Sequence, residues 1–562
     1  MKRPIERVEV SLEELDDILE RAKTTPLTDE ECAKLRKALE TLVYLTDLVG
    51  DKDTTISKLR KILFGASTEK IRNILGIENT KIGSPQADAQ GTSSPEIQAG
   101  DPAGESSREK ARGHGRNGAE AFTGAKRVHV AHGSLKPGQR CPKCEKGKIY
   151  RIKEPAVVVR ITGQAPLQAT VYKMERWRCN LCGEVFTAEA PEGVGPAKWD
   201  EAAASMVALL KCGTGVPFYR LEQLQKSLGI PLPGLTQWEM VKEAAEAIEP
   251  AWEELIRQAA QGEVLHNDDT TAVILETIRE RRKRVQTQNG DAGDPAERTG
   301  TFTSGIVSIV QGRKIALFFT GHQHAGENLR DLLLKRAAGL APPIQICDGL
   351  ARNEPDLPDE LKVILSNCNA HPRRQFVDVA SKFPEECRYV LEVFRDVYHN
   401  DAVARQRGMS PEERLTFHKA KSGPRMEALR QWMAEQLDEK KVGPNSGLGD
   451  AVLYTQKRWD RLTRFLEVPG VPLGNNAAER ILKKAILSRK NSYFYRTARG
   501  THVGDMFMSL IHTTELADAN PFDYLTQLQK HSKEAVGNLA QWMPWNYSQM
   551  LEQTAVAKKA SD

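Results

Sequence analysis

The chain has 562 residues, and at roughly 150 residues per domain this length predicts three or four domains. Lys and Arg number 80 against 75 Asp and Glu, so the net charge of +5 is too small to indicate a polyanionic partner by itself. The sequence contains no run of about 18 apolar residues and opens on the charged stretch MKRPIERVEV, which argues against a membrane-spanning segment and a secretory signal. These properties predict a cytoplasmic protein without a membrane partner.

The first part of the chain combines a helical pattern with a linker composition. Residues 1–76 are predicted to form a helical domain, because a capping signal at Thr28 precedes leucines at mostly helical spacing. The leucine stripe either pairs with another chain as a coiled coil or packs inside its own domain. Residues 77–120 are rich in Gly, Ser, Ala, Asp and Gln, and this composition predicts a flexible linker.

Two CxxC pairs, CPKC and CNLC, lie within residues 121–192. In a reducing compartment such pairs indicate a metal site rather than disulfides. Four thiolates with this spacing predict a zinc ribbon whose Zn²⁺ is structural, since no coordination position stays open for a substrate. The predicted ligands are Cys141, Cys144, Cys179 and Cys182. The alternative is four unrelated free thiols.

Residues 193–255 have a helical pattern. The stretch VPFYRLEQLQKSLGIPLPGLTQWEMV contains two short helix candidates, which Gly229 and two prolines separate. Two interpretations fit this pair equally well: a DNA-binding helix-turn-helix, or helices that simply pack in a core.

Strand patterns dominate residues 256–369. VLHND, GIVSIV and KIALFF can pair as a meander, the helix candidate ENLRDLLLKRA follows, and PIQICD and KVILSN are two further strands. This order predicts the first part of a ribonuclease H-like α/β core, with the later strands in parallel. Asp268 and Asp348 end two of the strands, where ligands gather in open α/β sheets. The basic segment IRERRKRVQTQNGDAGDPAER, between the first two strands, predicts a mobile loop.

The rest of the chain is helical in pattern. Residues 370–468 predict a helical insertion, residues 469–515 the second part of the core, and residues 516–562 a C-terminal helical tail. In LGNNAAERILKKAILSRKNSYF, Asn476 is predicted to cap a helix that carries Glu479.

The acids Asp268, Asp348 and Glu479 offer oxygen ligands, which Mg²⁺ and Mn²⁺ prefer over nitrogen and sulfur. Three carboxylates can hold two ions, and paired ions activate the attacking oxygen and stabilise the leaving oxygen of a phosphodiester. The constellation therefore predicts metal-dependent chemistry on a nucleic acid.

Basic residues near these acids predict phosphate contacts, since Arg forks match phosphate oxygens. The predicted DNA-binding residues are His371, Arg373, Arg374, Arg480, Lys483, Lys484, Arg489 and Lys490. For the first three of them, the alternative is a solvated helix start. His322 and His324 follow a strand and are interpreted as loop surface rather than as metal ligands.

Several longer motifs occur in order along the chain: LRKILFGASTEK, GHGRNG, CPKC with CNLC, VPFYRLEQL, DDT, CDGLARN, NCNAHPRRQF and NNAAERILKKAILSRKNSYF. Over nearly the whole chain they resemble the bacterial insertion-sequence transposases of the IS66 family. The resemblance implies a DDE-type transposase with a ribonuclease H-like core, divalent metal and a helical insertion before the last acid. The family's acids fall on Asp268, Asp348 and Glu479. Its usual Asp-Glu-Thr reads Asp268-Asp269-Thr270 here, and the register predicts Asp268 as the ligand and Asp269 in the following turn.

The resemblance also implies the partners. They are double-stranded DNA with terminal inverted repeats, target DNA, further copies of the chain on that DNA, and accessory proteins encoded in the same element. The implied location is the bacterial nucleoid. Two other classes share some of these features: a metal-dependent nuclease that cuts without joining, and a non-catalytic DNA-binding relative that is expected to have lost an acid or a zinc thiolate.

Overall fold

The computed structural model describes residues 197–287 and 300–561 continuously, with shorter pieces before them that include residues 166–178 and 185–189. All four cysteines of the predicted zinc ribbon lie outside the described residues. The same is true of the predicted linker and of nearly all of the predicted N-terminal helical domain.

The chain divides into two units. Residues 79–166 form the smaller unit, in which an antiparallel bridge joins Arg140 to Lys148. The larger unit comprises the rest of the chain. Its first described strands are β1 (Arg176–Arg178) and β2 (Val185–Thr187), which pair antiparallel on either side of the CNLC segment.

The larger unit contains a five-stranded mixed sheet with the order β5-β4-β3-β6-β7. The strands are β3 (Val264–Thr271), β4 (Phe302–Val310), β5 (Arg313–Gly321), β6 (Ile344–Cys347) and β7 (Ile364–Asn367). Strands β3, β4 and β5 form an antiparallel meander, while β6 runs parallel to β3 and β7 runs parallel to β6. The predicted meander with later parallel strands is confirmed, and the chain is a mixed α/β protein.

Helices precede, separate and follow these strands along the chain. From residue 197 onwards they are α1 (Glu201–Ala208), α2 (Phe218–Ser227), α3 (Gly234–Ala259), α4 (Leu275–Thr287), α5 (Ala325–Leu333), α6 (Ala370–Val379), α7 (Pro384–Gln406), α8 (Pro411–Lys421), α9 (Gly423–Asp438), α10 (Gly447–Gln456), α11 (Trp459–Leu462), α12 (Asn476–Ser492), α13 (Ala498–Leu516), α14 (Pro521–Lys530), α15 (Ser532–Ala535) and α16 (Tyr547–Ser561). Within the described part of the chain, none of them combines the length and apolar character needed to cross a bilayer.

Strand β5 lies at one edge of the sheet, and α13 covers its free backbone edge. Three backbone N–H groups of β5 donate to side chains one helical turn apart on α13: Thr320 to Asp505 at 2.6 Å, Phe318 to Ser509 at 3.0 Å and Ala316 to Thr513 at 3.0 Å. Every second strand residue thus meets every fourth helix residue. An edge strand with unpaired N–H groups can pair with a strand of another chain, and these contacts prevent such pairing of β5.

Two local predictions are wrong. The basic segment after β3 begins as a helix, α4, instead of a loop, and the remainder of the predicted loop, residues 288–298, lies outside the described residues. Its Arg, Lys and Glu residues are good helix formers, and Glu276 anchors it by accepting a hydrogen bond of 2.8 Å from the N–H of Ala498. Helix α3 is 26 residues long rather than short, because its buried face extends from Gln237 to Ala259 and packs into the core.

Buried residues form two hydrophobic clusters. The first joins the sheet strands β3, β4 and β5 to helices α1, α3, α13 and α14. The second joins α6, α7, α9 and α10 and includes Phe394, Leu429, Val452 and Phe465. The helices between β7 and α12 therefore have a core largely of their own.

Asp401 on α7 is the main charged group inside this second region. It is 8% exposed and bonds to Arg405 and Arg414 at 2.7 Å each, with His418 at 3.5 Å. Burial acts to raise the pKa of Asp401, but the hydrogen bond with His418 and the charge and hydrogen bond of Arg414 outweigh it and hold the pKa below its usual range. Its ionised form therefore stabilises the fold.

We expect Asp401→Asn to lower the free energy of unfolding by about 3 kcal/mol at neutral pH, because it leaves two guanidinium groups without their counter-charge. Since the folded-state pKa is lowered, this contribution is present above the unfolded pKa and fades as pH falls below about 4. Urea unfolding at neutral and acid pH measures it. Asp396→Asn is the matched control on the same helix: Asp396 forms surface ion pairs with Arg395 and Arg425, worth less than about 1 kcal/mol.

Candidate active site

The register of two parallel strands brings Asp268 and Asp348 to the same end of the sheet. His266 of β3 pairs with Ile346 of β6, and each aspartate follows two residues later. Because side chains alternate along a strand, Asp268 lies on the same side of the sheet as His266, and Asp348 on the same side as Ile346. The strand-end position predicted for Asp348 is confirmed, whereas β3 continues past Asp268 to Thr271, where it pairs only with β4.

The amide of Asn353 joins the two aspartates. Its Nδ2 donates to Oδ1 of Asp348 at 2.7 Å and lies 3.5 Å from Oδ1 of Asp268. Asp268 also accepts from the N–H of Asp269 at 2.8 Å, and Asp348 accepts from the N–H of Leu350 at 3.0 Å. Each carboxylate is thereby oriented by fixed donors on one oxygen, which leaves the other oxygen for a ligand.

Buried amides hold Asn353 in place. Its carbonyl accepts from Nδ2 of Asn267 at 2.7 Å and from Nε2 of Gln345 at 2.8 Å, while Gln345 also donates to Asn267 at 2.9 Å. All three side chains are fully buried. These hydrogen bonds hold the short 3₁₀ turn Ala351–Asn353 against β3 and β6, while Oε1 of Gln345 and Oδ1 of Asn353 have no hydrogen-bond partner among the described residues.

Helix α12 packs on β3 and β4 and brings Glu479 toward Asp268. Gly305 of β4 pairs with Asp268, and a Cβ placed on Gly305 would lie 3.0 Å from Leu482 of α12. The helix therefore packs directly on the strands at the level of Asp268. Glu479 precedes Leu482 by three residues, which puts it one turn nearer the helix N-terminus on a neighbouring part of the same side.

Asn475, at the start of α12, ties the helix to β3. Its Nδ2 donates to the carbonyl of Asn267 at 2.9 Å, and its Oδ1 lies 3.3 Å from Nδ1 of buried His266. The predicted cap at Asn476 is wrong: the helix begins at Asn476, the N-cap position is Asn475, and that side chain bonds to β3 instead of to the helix. The side chain of Asn475 therefore joins α12 to β3 instead of capping the helix.

The three acids interact electrostatically. Burial raises the pKa of Asp268 to about 7, and the charges of Asp348, Asp269 and Glu479 add to this effect against the N–H bond from Asp269. Oε1 of Glu479 is buried and has no hydrogen-bond partner among the residues that the structure describes. Mutually repelling carboxylates with an unpaired buried oxygen favour a bound cation, so the residues present fit a divalent metal.

Asp269 points away from this group. Its side chain is 1% exposed and lies 2.6 Å from Nδ1 of His324 and 3.3 Å from Nη2 of Arg352. The prediction that Asp269 lies in the turn after the strand is wrong, because β3 runs through it and turns its side chain inward.

The interpretation of His324 as loop surface is also wrong. His324 precedes α5, packs against the ring of Phe302 and pairs with Asp269. His322 contacts the carbonyl of Gly300 at 3.0 Å.

His371 lies close to Glu479. The ligating atoms of Cys368, His371 and Glu479 all lie within 4.8 Å of one another. Among the described residues, Asp268 and Asp348 belong to no group this compact. Burial lowers the pKa of His371, and its Nδ1 is buried without a hydrogen-bond partner in the described part of the chain.

The predicted DNA-binding residues of α12 fall into two groups. Arg480, Lys483 and Lys490 are exposed. Lys484 and Arg489 have partners within the chain: Lys484 pairs with Glu515 at 3.5 Å, and Arg489 donates to the side chains of Thr270 at 3.1 Å and Thr271 at 2.6 Å. Arg373 is half-buried and Arg374 is exposed, both in the first turns of α6 next to His371.

Comparison with known proteins decides the family. A family model described as "Transposase IS66 family" matches residues 197–503, which is more than half of the chain. The chain belongs to the IS66 transposase family. The matched segment contains the sheet, the helices between β7 and α12, and Asp268, Asp348 and Glu479.

This IS66 family member is similar to uncharacterized proteins of Sinorhizobium fredii. Protein y4jD is 25% identical over 516 residues, covering 90% of this chain and 96% of the relative, and y4hP is 24% identical over 434 residues, covering 74% of each. The first relative aligns beyond the matched family segment. The resemblance read from the sequence motifs is therefore confirmed at the level of the family.

Several residues of the site were not identified from the sequence. Asn353 orients Asp348, Asn475 ties the helix of Glu479 to β3, and His324 and Arg352 hold Asp269. Asn353 and Arg352 belong to the motif CDGLARN, and Asn475 to NNAAER. The motifs themselves were the available signal, because a polar residue beside a candidate acid in a specific motif is a candidate for orienting it.

Proposed function

We propose that this transposase binds the ends of an insertion sequence, cleaves DNA strands there and joins them to target DNA, with Asp268, Asp348 and Glu479 as the catalytic acids. The observation that carries the proposal is the convergence of β3, β6 and α12, which brings these acids from distant parts of the sequence into one electrostatically coupled group. The sheet order supports a ribonuclease H-like core.

The metal in this proposal is Mg²⁺ or Mn²⁺, held as two ions by the three carboxylates. All of the offered donors are oxygens, as these hard cations require. Bound there, such ions activate the attacking oxygen and stabilise the leaving oxygen of a phosphodiester. The chain's own contribution is orientation: Asn353 fixes one oxygen of Asp348, and Asn475 fixes the start of the helix that carries Glu479.

The remaining domain assignments belong to the same proposal. The helices of residues 370–468 form an insertion with their own core, and residues 469–515 complete the catalytic domain. Residues 516–562 are a helical tail. A structural Zn²⁺ at the two CxxC pairs, and DNA contact by helices α2 and α3, complete the arrangement.

DNA binding is proposed for the outer face of α12. Arg480, Lys483 and Lys490 recur at helical spacing on the side opposite to the buried residues, and this stripe begins beside Glu479. Lysine and arginine side chains on one exposed face attract phosphates. Phosphates held along the stripe would lead a DNA strand toward the three acids.

We expect Lys483→Ala to reduce the salt dependence of binding to end DNA. When one phosphate contact is lost, binding to DNA releases fewer counterions, so the slope of log K against log salt should flatten by about 0.9. Fluorescence anisotropy at several salt concentrations measures the slope. Lys314→Ala is the control, because Lys314 is also exposed but lies at the opposite end of the sheet, next to Ile309 of β4. Equal slopes for both variants would remove this face from the DNA interface.

The activity test uses labelled DNA with the element's terminal repeats, a target plasmid and Mg²⁺. We expect strand cleavage followed by strand transfer into the target. Cleavage without joining would identify a nuclease instead, and binding alone a non-catalytic relative. Adding extracts that contain the accessory proteins of the same element, and sizing the protein–DNA complex, tests for these partners and for further copies of the chain.

A further inference from the structure

Cys368, His371 and Glu479 form a compact group of three different donors. Cys368 directly follows β7, His371 lies in the first turn of α6, and Glu479 lies in the first turn of α12. Their ligating atoms lie within 4.8 Å of one another. The three side chains thus come from three elements and converge at one point.

The backbone around the group is held firmly. The N–H of Cys368 donates to the carbonyl of Cys347 at 2.9 Å, and the N–H of Asn369 donates to the carbonyl of Leu473 at 2.9 Å. The N–H of Asn475 donates to Sγ of Cys368 at 3.2 Å. These bonds lock the start of α6 to the start of α12, so the donors are preorganised rather than brought together by chance.

Two of the three residues carry a side-chain atom without a hydrogen-bond partner in the described part of the chain. These atoms are Nδ1 of His371 and Oε1 of Glu479, and both atoms are buried. Buried polar atoms normally form hydrogen bonds, and leaving one unpaired costs about 1 to 3 kcal/mol. A neutral imidazole can present Nδ1 as a lone pair, so a cation that accepts electron pairs from the imidazole, the carboxylate and the thiol accounts for both unpaired atoms.

The donor set selects the kind of cation. Sulfur, imidazole nitrogen and one carboxylate oxygen suit Zn²⁺ and similar metals, whereas Mg²⁺ and Ca²⁺ require oxygen. We infer that Cys368, His371 and Glu479 bind a thiophilic divalent cation, with Zn²⁺ as the physiological candidate. Binding forms metal–sulfur, metal–nitrogen and metal–oxygen bonds, and the thiol proton of Cys368 passes to solvent.

The site has a regulatory consequence because Glu479 belongs to it. A cation bound to Cys368 and His371 takes Glu479 away from Asp268 and Asp348, so Zn²⁺ should inhibit Mg²⁺-dependent cleavage. This consequence rests on the proposed function, in which Glu479 is a catalytic acid. The binding itself does not, and it can be measured on protein without DNA.

The binding test titrates the full chain with Cd²⁺ and follows the ultraviolet absorption of new cadmium–thiolate bonds. We expect Cys368→Ala to lose one thiolate's absorption relative to the wild type. Cys387→Ala is the matched control, since Cys387 is a fully buried thiol on α7 outside the group. Any cadmium at the CxxC pairs contributes equally to all variants and cancels in the difference.

Two further variants guard against a folding artefact. Cys368→Ser keeps an acceptor for the N–H of Asn475, and its thermal midpoint is compared with that of Cys387→Ala. His371→Ala, which leaves the thiol in place, should weaken Cd²⁺ binding at least about tenfold, an effect typical even of residues one step removed from a metal. Unchanged absorption in Cys368→Ala, or unchanged affinity in His371→Ala, would overturn the site.

The inhibition test adds Zn²⁺ to cleavage reactions that contain excess Mg²⁺. Each variant is compared with its own rate before Zn²⁺ is added, and we expect inhibition of the wild type that Cys368→Ser relieves. Equal inhibition of both proteins would overturn the regulatory role. Absence of cleavage under every condition would count against the proposed function alone, because the Cd²⁺ titration establishes or refutes the metal site by itself.

Discussion

Glu479→Gln should abolish metal-dependent strand cleavage while the fold and the affinity for end DNA persist. The change removes a charge that holds the metal but preserves the volume of the side chain. A loss of about 4 kcal/mol of transition-state stabilisation corresponds to roughly a thousandfold in rate. Cleavage of labelled end DNA in Mg²⁺ measures this loss, and anisotropy measures DNA affinity.

The control for this variant is Glu515→Gln. Glu515 lies on α13, where it pairs with Lys484 and His512 outside the acidic group. It undergoes the same chemical change and should keep cleavage near the wild-type rate. Cleavage at a near-normal rate in Glu479→Gln would show that this glutamate is not a catalytic acid, whatever the behaviour of the control.

Asp268→Asn should also abolish cleavage, and at the same time it should stabilise the folded chain in the absence of Mg²⁺. Burial and the neighbouring carboxylates raise the pKa of Asp268 to about 7, so the native state binds an extra proton between pH 4 and pH 7. Stability is therefore lost as pH rises through this window. Because Asn stays neutral, the variant should gain roughly 4 kcal/mol above pH 7 and nothing below pH 4.

The neighbouring aspartate supplies the contrast. Asp269 is bonded to His324 and Arg352, so Asp269→Asn should destabilise the fold by about 1 to 2 kcal/mol while cleavage persists. Thermal unfolding at several pH values and cleavage assays on the same DNA separate the two residues. An inactive Asp269 variant beside an active Asp268 variant would show that the assignment is displaced by one residue.

Much of the fold could be predicted from local sequence pattern. The strands of the meander, helix α5 and the two parallel strands were all predicted, since periodicities of two and of 3.6 residues are visible in short windows. The wrong predictions also arose from the local sequence pattern. The charged residues of α4 read as a loop, because a solvated helix held only by contacts such as that of Glu276 lacks a clear apolar stripe.

The sequence by itself determined the family, most of the element types and the three candidate acids, because motifs and acids after strand patterns are readable without any contact map. Only the tertiary structure decided how those acids are arranged. The register of β3 on β6 sets Asp268 beside Asp348, Asn353 joins them, and Gly305 lets α12 approach with Glu479. Strand register and helix docking depend on packing between residues far apart in the chain, and such packing leaves no periodic trace in the sequence.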